Sequence, residues 1–215
     1  DVGGWEMVVN ALADGCGLQV APAQARKFAS DYHCFMVRRF DRTDTGQRLH
    51  FASAMTMTGH SDGDDASTGV SYLELAEVIM GHGAQPNADL RELWSRIVFN
   101  ILVSNTDDHL RNHGFILVPG KGWKLSQAYD MNPVAHADGL KLNITDADNA
   151  LDLELAREVA GYFRLNLQEA DATIEEFRSI VGQWRVVAQQ VGLSASEQDR
   201  MAGAFRLADS DAASP

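Results

Sequence analysis

Between Leu90 and Leu102, the apolar residues Leu90, Trp94, Ile97, Val98, Ile101 and Leu102 recur at intervals of three and four. They cover too much of a helix surface for one side to face water freely. Residues 88–104 therefore predict a buried central helix, entered after Pro86 and Asn87, around which the rest of the chain has to pack. The chain has 215 residues, enough for one large domain or two small lobes with a substantial core. No staple is needed, and none is offered: Cys16 and Cys34 lack CxxC spacing and imply neither a disulfide framework nor a zinc site.

Upstream, Trp5, Val8, Val9, Leu12 and Cys16 share one face of a helix that ends at Gly17. Residues 18–28 and 32–40 alternate in a β-like way around Ala29-Ser30-Asp31 and predict an antiparallel pair. Pro22 makes the first strand short or places it at an edge. Residues 58–69 contain almost nothing apolar and predict a mobile surface loop. Tyr72, Leu75, Ala76 and Ile79 then form a helical stripe closed by Gly81-His82-Gly83. After the central helix, Gly114–Val118 and Trp123–Leu125 flank a Pro/Gly turn and predict a hairpin. Helices are expected at about 152–161, 167–191 and 196–207, followed by a small-residue tail from Ala208 to Pro215. The pattern is that of an α+β protein whose C-terminal half is mostly helix, with no internal repeat.

The formal charge of −12, from 30 acidic and 18 basic residues, argues against a broad basic face for direct nucleic-acid binding. No run approaches the roughly 18 apolar residues that span a bilayer, and Asp1-Val-Gly-Gly-Trp5 does not read as a secretory leader. A reducing cytoplasm is the expected compartment. The absence of an initiator Met suggests a trimmed or fragmentary chain.

The chemistry lies where the central helix ends, at Asn105-Thr-Asp-Asp-His-Leu-Arg-Asn112, and where the hairpin delivers Tyr129-Asp-Met-Asn-Pro133. Asp107 and Asn112 are five positions apart, the spacing at which a kinase catalytic loop places its base and second magnesium ligand. Asp130 is a further carboxylate suited to magnesium, which prefers hard oxygen donors completed by phosphates and water. Asp108 competes with Asp107 for the base, and only the spacing to Asn112 separates them. Each of these residues alone is as readily a cap or an Asx turn; the combination is what points to phosphoryl chemistry. His109 and His113 are four apart, but the loop context and the lack of an HExxH pattern favour packing roles over zinc. Arg111 could meet a phosphate or, with slightly more weight, a neighbouring carboxylate.

The string Val98–Phe115, together with Gly122–Pro133, closely resembles the HipA family of serine/threonine kinase toxins. The resemblance covers roughly residues 4–190 and extends to Val37-Arg-Arg-Phe-Asp-Arg42, which looks like the family hinge. It implies a protein-kinase-like fold, with residues 1–42 as part of the small lobe and hinge, 43–208 as a helical lobe carrying the catalytic and metal-binding loops, and 209–215 as a tail. It further implies Asp107 as catalytic base, Asn112 and Asp130 as magnesium ligands, and backbone groups near Arg38 and Phe40 on the adenine of ATP. Glu6 would lie on the helix facing the ATP-anchoring lysine. The implied partners are a protein hydroxyl as acceptor and a DNA-binding antitoxin. Ahead of Gly4 there is no counterpart of the family's Gly-rich phosphate loop, its regulatory serine or that lysine, and Arg38 stands where relatives usually carry an acid. A catalytically silent module that binds an antitoxin-type partner is therefore the alternative. A metal-dependent hydrolase ranks below both, because Arg39-Phe-Asp41 has no role in it.

Overall fold

A computed structural model describes residues 1–136 and 138–209. Helix α1 (Val2–Gly15) starts at Asp1, whose carboxylate accepts the Gly4 N–H, and it buries Trp5, Val8, Val9 and Leu12. Strands β1 (Ala23–Lys27) and β2 (His33–Val37) pair antiparallel, with Ala23 opposite Val37 and Lys27 opposite His33. They are shorter than the alternation predicted. Pro22 has no N–H to give a ladder, and its carbonyl accepts the Arg38 N–H (2.9 Å), which ends the pair there. This two-stranded sheet packs on α1, where Gly3 lets the helix approach β2: a Cβ at Gly3 would lie 2.4 Å from the His33 carbonyl oxygen.

Strand β3 (Phe51–Ser53) is too short to leave a period in the sequence, and it pairs antiparallel with β4 (Gly114–Val118), which pairs in turn with β5 (Gly122–Leu125). Ser53 caps α2 (Ala54–Thr58), which closes at a left-handed Gly59. The segment expected to be an unstructured loop contains a 3-10 turn, Ala66–Thr68, capped by Asp65. The turn is tied down: the Ala66 N–H donates to the Lys141 carbonyl (2.7 Å), and the Asn143 side chain donates to the Ala66 carbonyl (3.0 Å).

Helix α3 (Tyr72–His82) lies against α4 (Pro86–Leu102), the predicted central helix. Leu90, Leu93, Trp94, Ile97, Val98, Phe99, Ile101 and Leu102 are all inaccessible to solvent. Around α4 stand β5, α5 (Leu153–Val159), the 3-10 turn Ala160–Phe163 and α6 (Leu167–Val181).

The helix expected over 167–191 is two, α6 and α7 (Trp184–Val191), with the break at Gly182 and Gln183. The break lets Trp184 turn inward, where it stacks on Phe205 with centroids 4.5 Å apart. The stretch predicted over 196–207 is likewise split, into α8 (Ala195–Met201) and a 3-10 turn, Ala202–Phe205. Ala208 and Asp209, predicted as tail, remain attached: the Trp184 indole donates to the Asp209 carboxylate (3.2 Å). The rest of the predicted tail lies outside the described residues.

Among the described residues the fold is mixed α/β, with eight α-helices and two small sheets. No described helix is long and apolar enough to cross a membrane.

Trp94 is fully buried and its indole donates to the Ala156 carbonyl (2.7 Å). Trp94→Ala should cost about 3–5 kcal/mol in urea unfolding, whereas Val186→Ala, on an exposed face of α7, should stay within about 0.5 kcal/mol.

Candidate active site

The end of α4 has to turn sharply and still satisfy its last carbonyls. Ser104 does this with φ of +48°, and the Asn105 N–H bonds back to the Asn100 carbonyl (2.9 Å). The Asn105 side chain donates to the Asn100 side chain (3.1 Å), so both asparagines lie buried under the turn. From here the two neighbouring acids part. Asp107 is exposed, while Asp108 is buried.

Asp108 Oδ2 accepts from the Tyr72 hydroxyl (2.5 Å) and Asn100 Nδ2 (2.9 Å), and it meets His113 Nε2 at 2.8 Å. Burial pushes this carboxyl up, but the His113 charge and the His113 and Tyr72 hydrogen bonds outweigh it and hold Asp108 below the ordinary 3.8. The same burial, with the adjacent Asp108 charge, pushes the Tyr72 hydroxyl up. Asp108 therefore anchors the loop. His113 serves this packing network, and sequence spacing by itself did not reveal that Tyr72 and Asn100 belong to it.

Asn112 joins the two predicted site segments. Its Oδ1 accepts the His109 N–H (3.0 Å), and its Nδ2 donates to Asp130 Oδ2 (2.6 Å). Three more bonds stitch the segments together: the Tyr129 hydroxyl to the Arg111 carbonyl (2.6 Å), the Asn132 N–H to Asn105 Oδ1 (3.3 Å), and the Val134 N–H to the Ser104 carbonyl (3.1 Å). Asp130 itself sits at φ +58°, a left-handed conformation unusual outside glycine and frequent at functional sites.

The surroundings of Asp130 suit a hard cation. Burial pushes the Glu6 carboxyl up to about 7, with the Asp130 charge adding to the shift. Asn132 Nδ2 donates to Asp130 Oδ1 (3.3 Å), while Asn132 Oδ1 is buried with no hydrogen-bond partner. Asp130 and Asn132 thus present oxygen donors of the type magnesium takes, whereas Asn112 Oδ1 is engaged by the His109 N–H and its amide would have to turn to add a third. Among the described residues no group of three or more His, Cys, Asp or Glu is placed to hold a metal. The protein donors are too few for a closed cage, so an ion there would be completed by water or by phosphate oxygens.

Arg38 and Phe40 follow β2. The Arg38 N–H is committed to Pro22, and its guanidinium pairs with Asp44 at the surface. The Phe40 ring packs on Tyr129, centroids 5.3 Å apart, which links this segment to the Asp130 loop. A cleft of about 470 Å³ opens beside it, lined by Pro22, Arg38, Phe40, Lys124 and Ser126 among others. Arg111 pairs with the Asp62 carboxylate, the second of the two partners the sequence allowed. His109 Nε2 lies 3.0 Å from Arg111.

Truncating Asp108 strands three buried partners. Asp108→Ala should cost about 3–5 kcal/mol at neutral pH. Because the folded pKa is depressed, the stabilisation is present above 3.8 and is lost as pH falls through the lower folded value. Urea midpoints of wild type and variant should therefore converge in acid and diverge above it.

Comparison with known proteins identifies the family of the chain. A family model, the HipA-like C-terminal domain, matches residues 1–184. A Haemophilus influenzae protein named "Putative kinase" is 31% identical over 137 residues, 61% of this chain and 37% of that protein. A Sinorhizobium fredii protein, "Putative kinase Y4mE", is 29% identical over 141 residues, 62% of this chain and 33% of that protein. The chain thus matches about a third of the length of these curated relatives.

Among solved structures, HipA of Shewanella oneidensis MR-1, in a toxin–antitoxin complex with HipB and operator DNA, superposes with a TM-score of 0.77 at 19% identity. That match covers 98% of this chain and 55% of the other. The Helicobacter pylori proinflammatory kinase CtkA superposes with a TM-score of 0.58 at 12% identity, covering 97% and 85%. At these identities the likeness is one of fold. With the family model spanning most of its residues, the chain belongs to the HipA-like C-terminal domain family.

Proposed function

We propose that this chain is the nucleotide- and magnesium-binding part of a HipA-like serine/threonine protein kinase, acting as the toxin of a toxin–antitoxin pair. The observation that carries this reading is the Asn112–Asp130 hydrogen bond, which joins the loop of plus-five spacing to the second acidic loop. In this reading residues 1–42 belong to the small lobe and hinge, 43–208 to the helical lobe, and 209–215 to a tail.

Asn112 and Asp130 would hold Mg2+, which when bound neutralises charge on the transferring phosphate. The Arg38–Phe40 segment would meet the base of ATP, and Glu6 would face the phosphate-binding side. Asp107, exposed on the same loop as Asn112, orients the acceptor hydroxyl and takes its proton as oxygen attacks the γ-phosphorus and the bond to ADP breaks. Little covalent work is asked of the protein, so positioning and electrostatics dominate.

The partner reading rests on charge and on the family. The net charge of −12 suits a basic, DNA-binding antitoxin and disfavours direct contact with nucleic acid. The two cysteines are unpaired, which supports a reducing cytoplasm.

Asp107→Ala should lower kcat for phosphoryl transfer by roughly 10²–10⁴-fold with nucleotide affinity retained; unchanged turnover would reject the assignment. Asp130→Asn should weaken magnesium-dependent ATP binding, read by calorimetry, by at least about tenfold. Absence of such binding in the wild-type whole protein would favour a silent binding module instead. Association with a basic antitoxin should weaken steeply as salt rises, and a flat salt response would count against the charge argument.

A further inference from the structure

The turn Ala202–Phe205 and Arg206 lie beyond residue 184, where the family match ends, yet they touch each element that carries the candidate site. The first contact is to the Asp107–Asn112 loop. Ser104, the strained pivot at its start, is wholly buried and donates its hydroxyl to the Ala204 carbonyl (2.8 Å). Arg206 Nη1 donates to the same hydroxyl oxygen (3.2 Å) and to the Gly203 carbonyl (3.1 Å), so one guanidinium braces the turn against the pivot.

The second contact is to the Asp130 loop. A Cβ at Gly203 would lie 2.5 Å from the Ala135 carbonyl oxygen, so only glycine lets the two backbones approach this closely. The neighbouring Val134 N–H donates to the Ser104 carbonyl, which closes a ring of contacts from the turn through both loops.

The third contact is to α1. The Phe205 ring lies 6.1 Å from that of Trp5, the residue before Glu6, and it stacks on Trp184. These are three unrelated kinds of contact: a buried hydroxyl–carbonyl hydrogen bond, a backbone close approach and a tilted aromatic contact. Each fixes the distance of a different site element from the same five residues.

We propose that residues 202–206 form a clasp that sets how the Asp107–Asn112 loop, the Asp130 loop and α1 sit relative to one another, with Gly203, Phe205 and Arg206 as positioning residues. A side chain at position 203 has to push Ala135 away and, through Val134, loosen the Ser104 pivot. The consequence is expected to be strongest there, because α4 packs chiefly on α3, β5, α5, the turn Ala160–Phe163 and α6.

Amide hydrogen exchange on the 215-residue chain tests this, and it needs neither nucleotide nor activity, so a failure of the kinase reading leaves it intact. In Gly203→Ala, the amides of Asn105, Asn132 and Val134 should exchange at least about tenfold faster, while those of α4 and α6 change by less than about twofold. Arg206→Ala should act on the same amides in the same direction, and Arg206→Lys, which keeps a charged donor, should restore most of their protection. Unchanged exchange at Asn132 and Val134 in Gly203→Ala would overturn the proposal. So would a uniform loss of protection across α4 and α6, which would make the turn only a part of the general fold.

Discussion

The enclosure of the C-terminal half of α4, Arg96–Leu102, is the constraint from which the rest of the architecture follows. A helix end buried all round leaves no solvent to donate hydrogen bonds to its C-terminal carbonyls, so the chain leaving it must satisfy them and change direction at once. The answer is a polar pocket inside an apolar core: Asn100, Asn105, Asp108, Tyr72 and His113 bond to one another beneath the turn. These bonds hold the turn in place, while His113 Nδ1 is buried with no hydrogen-bond partner. Exposed Asp107 and the start of the Asn112 turn are held from below by residues that never reach the surface.

The site above that pocket is electrostatically unfinished. Asp130 occupies a left-handed backbone conformation, Glu6 is pushed towards neutrality by burial and by the charge of Asp130, and Asn132 keeps a buried oxygen without a donor. The carboxylate of Asp130 and the unpartnered oxygen of Asn132 are features that a hard cation with oxygen ligands would satisfy. Buried Asp108, by contrast, has three buried partners on Oδ2. Two adjacent acids in one loop are thus divided by burial into an anchor, Asp108, and an exposed candidate, Asp107.

Much of this was legible in the residues. The central helix, the α1 stripe and the β4–β5 hairpin have periods long enough to survive without tertiary knowledge. The Asp107, Asn112 and Asp130 pattern was legible because its spacing is chemical rather than conformational. The short elements were not legible. β3 has three residues, and the turn at 66–68 is made by Asp65 capping and by bonds to Lys141 and Asn143, far along the chain. The split of 167–191 also escaped, because apolar periodicity runs through Gly182 and only the stacking of Trp184 on Phe205 rewards the break.

The sequence by itself determined the elements whose signal is local: amphipathic and buried helices, turn residues, and the acids and amides at fixed spacing. Tertiary structure decided which of two neighbouring aspartates is buried, that Asn112 meets Asp130, and that the C-terminal turn grips Ser104, Ala135 and Trp5. The physical reason is range. Propensity and periodicity act over a few residues, whereas desolvation and hydrogen-bond closure depend on atoms brought together from positions as much as 196 residues apart.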